Sequence, residues 1–255
     1  MTKDTRLESN DWFRVRLSSA GGAVLANDEA SGTITNDERT TFTKQWLGST
    51  DYLEGTLPNA WADYDGDGYQ DLPLQRGGPN HTFTEIPGFR ALLAGGNYHG
   101  ASWCDYDRDG DPDLILLGYD SSQPDAGGEI SKVALAATPN LLLRNDGGGV
   151  FTNVAPALGM AIAASGETAV WGDFDGDGWP DLFTPYYSHQ FPFQSFFYRS
   201  NGDGTFHEQA VESGVSLPAL SWSLRPEGAL AADWNDDGHL DLYCASHLFV
   251  NVGTG

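Results

Sequence analysis

In the stretch Trp171-Gly-Asp-Phe-Asp-Gly-Asp-Gly-Trp-Pro-Asp-Leu182, Asp173, Asp175, Asp177 and Asp181 stand at positions 1, 3, 5 and 9 of a loop that begins at Asp173. Alternate carboxylates in a tight loop converge on one point, where their mutual repulsion requires a cation. Hard oxygen ligands at this spacing favour Ca2+ over softer metals. Gly178 at position 6 permits the sharp turn, and the carbonyl of position 7 can add a ligand.

The pattern occurs four times. Asp63, Asp65, Asp67 and Asp71 repeat it between Trp61 and Leu72, and Asp105, Asp107, Asp109 and Asp113 between Trp103 and Leu114. The fourth copy runs from Ala231 to Leu242 with Asp233, Asn235, Asp237 and Asp241. Each copy ends in Asp-Leu at the same offset, so about four Ca2+ ions are expected. An EF-hand would need a bidentate Glu at position 12. That place holds Leu74, Leu116, Thr184 and Cys244, and the flanks read as strands, so EF-hands and other helical calcium loops fit poorly.

The elements that must hold these loops follow a longer period. The first Asp of each loop falls at 63, 105, 173 and 233, and Arg76, Arg144 and Arg199 each precede a Phe (Phe83, Phe151, Phe206) by seven residues. The intervening Gly77-Gly-Pro-Asn, Asn145-Asp-Gly-Gly-Gly and Asn201-Gly-Asp-Gly are hairpin turns. Each repeat therefore has four short strands: one with the leading Trp61, Trp103, Trp171 or Ala231, one opening on Asp-Leu, and the Arg-to-Phe hairpin. Four-stranded units at this spacing predict an all-β chain of about four β-propeller blades in an incomplete or open ring. The leading tryptophans are expected to pack between blades. Residues 119–140 read as a surface-loop insertion, and Tyr186-Tyr-Ser-His-Gln-Phe-Pro-Phe193 as a second, aromatic one.

Composition agrees. The 255 residues include 32 Gly and 13 Pro, which favours turns over helix, and 40% hydrophobic residues suffice for a core. The net charge is −23, and 17 of the 36 acidic residues lie in the four loops. Four calcium ions would bring that charge to −15, still a field that repels nucleic acid. Cys104 and Cys244 fall at different offsets of their repeats, so no disulfide is expected. No apolar run reaches the length of a membrane span, so no membrane insertion is expected, and the first ten residues lack the apolar core of a signal peptide. The scattered histidines and the metal-committed carboxylates leave no nucleophile or acid–base constellation, so a non-enzymatic protein is expected.

Upstream, Trp12-Phe-Arg-Val-Arg-Leu17 alternates as a half-buried strand, and Gly32-Thr-Ile-Thr35 reads as a second one. Asp11-Trp-Phe-Arg-Val-Arg-Leu-Ser18 and Gly32-Thr-Ile-Thr-Asn-Asp-Glu38 resemble the C-terminal end of a Calx-β repeat, an immunoglobulin-like sandwich. A Calx-β-like piece over 1–39 would then precede the blades of 40–255.

The loops together with the Arg-to-Phe hairpins resemble FG-GAP/VCBS repeats, the calcium-binding blades of integrin-α-like propellers. The resemblance implies a propeller in a secreted or cell-surface protein of adhesion and recognition. It carries the ligands over to positions 1, 3, 5 and 9, with the carbonyls of Tyr69, Asp111, Trp179 and His239 at position 7. Asn235 would weaken the fourth site. Only about four blades fit, so the chain is expected to be a fragment of a larger extracellular protein or a protomer whose open strand edges pair with neighbouring proteins or copies of itself. A lectin-like propeller binding glycans through Tyr186, Tyr187 and Phe191 is the alternative, and a polysaccharide lyase-like enzyme a third.

Overall fold

The computed structural model describes residues 11–16, 29–34, 60–119, 137–187, 194–217 and 228–253. The chain forms two compact parts, Met1–Gly48 and Ser49–Gly255. The boundary expected between residues 39 and 40 falls outside the described residues, as does most of the 119–140 insertion. In the first part, β1 (Asp11–Arg16) and β2 (Glu29–Ile34) pair as an antiparallel hairpin, with Asp11 opposite Ile34 and Arg16 opposite Glu29.

The second part is a succession of small antiparallel sheets, one per repeat. The first repeat is abbreviated. Its opening strands shrink to the bridges Ala62–Asp71 and Leu72–Gln75, followed by β3 (Gln75–Gly78) and β4 (Thr82–Glu85). The cause is local: Leu72-Pro-Leu-Gln75 stands where the other repeats continue a strand, Pro73 has no N–H to donate, and Leu74 takes a left-handed φ of 71°. The short helix α1 (Phe89–Leu92) fills the space with the buried Phe89.

The second and third repeats carry the four strands expected. The second has β5 (Tyr98–Cys104), β6 (Asp113–Gly118), β7 (Leu141–Asn145) and β8 (Phe151–Asn153), paired in that order. In the third, a two-residue strand β9 (Ser165–Gly166) adds to the edge, and the main order is β10 (Val170–Gly172), β11 (Asp181–Tyr187), β12 (Gln194–Ser200) and β13 (Phe206–Glu208). The fourth repeat has three: β14 (Ala229–Ala232), β15 (Asp241–Cys244) and β16 (His247–Phe249).

Alternation along these strands decides the packing. All six residues of β6 are buried, so it is covered on both faces. Leu114, Leu116, Leu141, Leu143 and Phe151 pack with Tyr64, Leu74, Ile86 and Phe89 of the first repeat. The intervening Ile115, Leu117 and Leu142 point the other way and pack with Leu182, Tyr186 and Tyr198 of the third. Phe183 and Phe197 in turn meet Leu242 and Cys244 of the fourth. The second and third sheets thus each give one face to the repeat before and one to the repeat after.

Three expectations are corrected here. Trp103 and Trp171 pack between repeats, but Trp61 is 59% exposed. The described ends of the 119–140 insertion are not surface loop. Thr138 and Asn140 are buried, and Asn140 accepts the N–H of Gly118 at 3.0 Å and donates to the carbonyl of Met160 and the hydroxyl of Tyr186. Tyr186 itself is buried, and burial pushes its phenol up to about 12, so it offers no platform to a glycan.

Phe183→Ala should cost about 3–5 kcal/mol, because its buried ring is the centre of the joint between the third and fourth repeats. Urea denaturation of the two proteins reads this directly. A loss below about 1 kcal/mol would mean that the joint is not a packed core.

Candidate metal centres

Position 9 of each loop is the best-held residue in it. Asp71, Asp113, Asp181 and Asp241 are all buried, and each opens a second strand or bridge. One carboxylate oxygen accepts the backbone N–H of position 2: Tyr64 at 2.9 Å, Tyr106 at 3.1 Å, Phe174 at 3.1 Å and Trp234 at 3.0 Å. The other accepts a backbone N–H from the third strand or the turn after it: Gly77 at 2.6 Å, Asn145 at 2.8 Å, Ser200 at 2.9 Å and Asn251 at 2.8 Å. One side chain therefore ties the loop to the hairpin in all four repeats. Charge-assisted bonds of this kind are stronger than neutral ones.

The remaining carboxylates shape the loop. Position 1 accepts the N–H of the position-6 glycine at 2.9, 3.1, 3.0 and 2.8 Å in Asp63, Asp105, Asp173 and Asp233. Position 5 accepts the N–H of position 7 at 2.9, 3.0, 2.9 and 2.9 Å in Asp67, Asp109, Asp177 and Asp237. Such side-chain-to-backbone bonds stabilise turns. The path turns left-handed twice, at position 6 and also at position 4. Gly66 and Gly176 fill position 4 in two loops, but Arg108 and Asp236 hold φ 58° there at a steric cost.

Carboxylate oxygens of positions 1, 3 and 9 lie within 4.8 Å of one another in three loops: Asp63, Asp65 and Asp71; Asp105, Asp107 and Asp113; Asp173, Asp175 and Asp181. These groups can hold a metal ion. Position 5 is not among them. Asp67 instead takes Arg76 at 2.8 Å, and Asp177 lies 3.8 Å from Arg199. In the fourth loop Asn235 leaves Asp233 and Asp241 as the charged groups at the corresponding places. The donor set fits a hard cation: the buried Oδ1 atoms of Asp65 and Asp105 have no hydrogen-bond partner. A buried anionic oxygen without a partner carries a large desolvation cost, and a bound cation removes it.

The hairpin arginines are counter-charges that spacing alone did not assign. Arg76 pairs with Asp65 at 2.5 Å as well as with Asp67, and Arg199 contacts Asp175. Arg144 differs: it turns to Asp146 at 2.7 Å and acts on Asp107 only as a nearby charge. Val250 holds the same place in the fourth repeat.

Position 7 packs onto the next hairpin. The Trp179 indole lies over Gly202, where a side-chain Cβ would meet it at 3.0 Å, and the Arg108 guanidinium stands 5.3 Å from its ring centre. Arg108 also donates to the carbonyl of Gly178 at 2.9 Å, joining the second and third loops.

Two asparagines escaped the sequence reading. The Asn145 amide donates to the carbonyl of Tyr64 at 2.9 Å and that of Asn251 to Phe174 at 2.7 Å, each binding a hairpin to the loop of the preceding repeat. Their signal is an Asn two residues before a turn glycine, Gly147 or Gly253, whose N–H each side-chain oxygen accepts. Cys104 and Cys244 are both free, and burial pushes each thiol up to about 12.

Residues 133–184 match the FG-GAP-like repeat family. The match runs from within the 119–140 stretch, across the second repeat's hairpin, through the third loop, with Asp173, Asp175 and Asp181 inside it. No curated protein matches the chain.

Two results follow from the position-9 aspartates. Asp113→Ala strands the N–H groups of Tyr106 and Asn145 in the interior and should cost about 2–5 kcal/mol in chemical denaturation. Burial pushes the carboxyl of Asp113 up to about 7 and that of Asp181 up to about 6, against the two backbone N–H bonds each accepts. An unfolded aspartate titrates near about 4. Between about pH 4 and 7 the folded protein therefore holds protons that the unfolded chain has released, so metal-free stability falls as pH rises through that window. Melting in chelator at pH 5 should occur at a higher temperature than at pH 8. The opposite order would contradict this account of the buried carboxylates.

Proposed function

We propose that the chain is a non-enzymatic calcium-binding repeat module, built as propeller blades in an extracellular or cell-surface protein of adhesion. The observation that carries this reading is the same three-carboxylate convergence in three loops, with buried oxygens that lack a partner. Residues 63, 65 and 71, 105, 107 and 113, and 173, 175 and 181 would hold the ions, with the carbonyls of Tyr69, Asp111 and Trp179 and the carboxylates of Asp67, Asp109 and Asp177 completing oxygen shells of the number Ca2+ prefers. Asp233, Asn235, Asp237, Asp241 and the carbonyl of His239 would form a weaker fourth site, because Asn235 contributes a neutral oxygen. Bound Ca2+ supplies positive charge that lets the carboxylates approach without repulsion.

The role is mechanical. Each loop joins the first and second strands of its repeat, and an ion there fixes the turn that the position-9 aspartate ties to the hairpin. At a free concentration ten times Kd, one site adds about 1.4 kcal/mol, and four independent sites about 5–6 kcal/mol. That equals a large share of a domain's whole stability. The FG-GAP-like match supports the repeat class, and the hairpin of β1 and β2 is compatible with the Calx-β-like reading of the first part. Partners would be other proteins or further copies of the chain, joined through open sheets.

Calorimetric titration of chelator-treated protein should find three or four Ca2+ ions per chain, and Ca2+ should raise the melting temperature by several degrees. Mg2+ at equal concentration should do less, because it demands a tighter octahedral shell. An unchanged melt and no heat of binding would overturn the calcium reading.

A further inference from the structure

The first two joints between repeats follow one aromatic rule, which the third, with Ala231 in the tryptophan's place, does not share. At the first joint, Tyr64 from position 2 of the first loop lies between Trp103 and Phe151 of the second repeat, with ring centres 6.1 and 5.5 Å away. At the next joint, Tyr106 lies between Trp171 and Phe206 of the third, at 6.3 and 5.6 Å. The two rings that receive the plug keep a fixed geometry. Trp103 and Phe151 are 6.3 Å apart at 58°, and Trp171 and Phe206 are 6.2 Å apart at 52°.

The same clamp exists in the first repeat. Trp61 and Phe83 are 6.2 Å apart at 53°, and Trp61 is 59% exposed. The matching plug exists in the fourth repeat. Trp234 occupies position 2 of its loop, where Tyr64, Tyr106 and Phe174 are buried, yet it is 68% exposed.

The sheet face beneath the plug is open as well. Register places Ile115 opposite Leu142 and Phe183 opposite Phe197, all buried by the following repeat. The equivalent row in the fourth repeat is Leu230, Tyr243 and Leu248, paired across β14, β15 and β16, and all three are exposed. An apolar row with an exposed tryptophan at its end marks an interaction surface.

We propose that this face receives the first repeat of a second copy of the chain, with Trp234 seated between Trp61 and Phe83 of that copy. The proposal rests on the self-association part of the function above and names its surface. What selects a second copy is complementarity: the first repeat carries an open clamp with the spacing of the two filled ones, and the fourth carries the plug. Such a joint is head-to-tail, since plug and clamp are different surfaces of one molecule. It builds an open chain of copies, or a ring if the rotation closes. Each copy in the chain would bury both its exposed tryptophans.

Two variants of the full chain test this, Trp61→Glu and Trp234→Glu. Both side chains are exposed, so both variants should fold as the parent does, with an unchanged circular dichroism spectrum. Light scattering coupled to size exclusion, over rising concentration, should show the parent in assemblies of two or more copies. Each variant alone should be monomeric. A one-to-one mixture should give dimers and nothing larger, because one variant keeps the plug and the other the clamp. Association of both single variants to the same extent as the parent would overturn this surface while leaving self-association standing. A parent that stays monomeric up to its solubility limit would overturn both.

Discussion

A buried aspartate that accepts two backbone N–H groups is the constraint on which each repeat depends. Asp71, Asp113, Asp181 and Asp241 sit where the loop returns to the sheet, and each fixes the loop with one oxygen and the hairpin with the other. The interior makes this costly for an ionised group, which is why burial raises the carboxyls of Asp113 and Asp181. The same burial brings a third oxygen-bearing group against positions 1 and 3. A cation there lowers the cost of keeping the aspartate charged, so the structural tie and the metal chemistry belong to one residue.

The second constraint is the two-sided sheet. Because side chains alternate along a strand, a sheet of three or four strands has two apolar rows and needs a cover on each. Within 60–253 neighbouring repeats cover one another, and an aromatic plug at position 2 fills the first two joints. The Asn145 and Asn251 amides add a polar tie at two of them. Where Ser200 stands in the third repeat, the shorter side chain makes its bond to Gly202 within its own turn. A cleft of about 380 Å³ between the third and fourth repeats, lined by Phe174, Phe197, Leu242 and Phe249, lies beside a sheet that has three strands where the third repeat has five.

Much of this was legible in the sequence, because the information is local. The 1, 3, 9 convergence, the strand before and after each loop and the hairpins of the second and third repeats follow from spacing, turn residues and alternation. The first repeat failed the same reading because one proline and a left-handed Leu74 end a strand that the repeat pattern continues. Position 5 reads as equivalent to the other carboxylates, yet one of its oxygens accepts the position-7 N–H and, in the first loop, the other meets Arg76, so it stands apart from the 1, 3, 9 cluster while keeping an oxygen for a bound ion in the other loops. The exposure of Trp61 and the burial of Tyr186 were invisible for a different reason. Trp61 and Trp103 have nearly identical local sequences, and what separates them, among the described residues, is that Trp103 has the first repeat alongside. The roles of Asn145 and Asn251 are likewise fixed by partners 81 and 77 residues away.

The central claim is that the converging aspartates are metal ligands and not merely turn-formers. Long-wavelength anomalous diffraction from crystals grown with Ca2+ tests it most directly. The account predicts a calcium peak between positions 1, 3 and 9 of each of the first three loops, and a weaker one beside Asn235. Anomalous maps without peaks at those loops, from crystals grown in ample Ca2+, would contradict it.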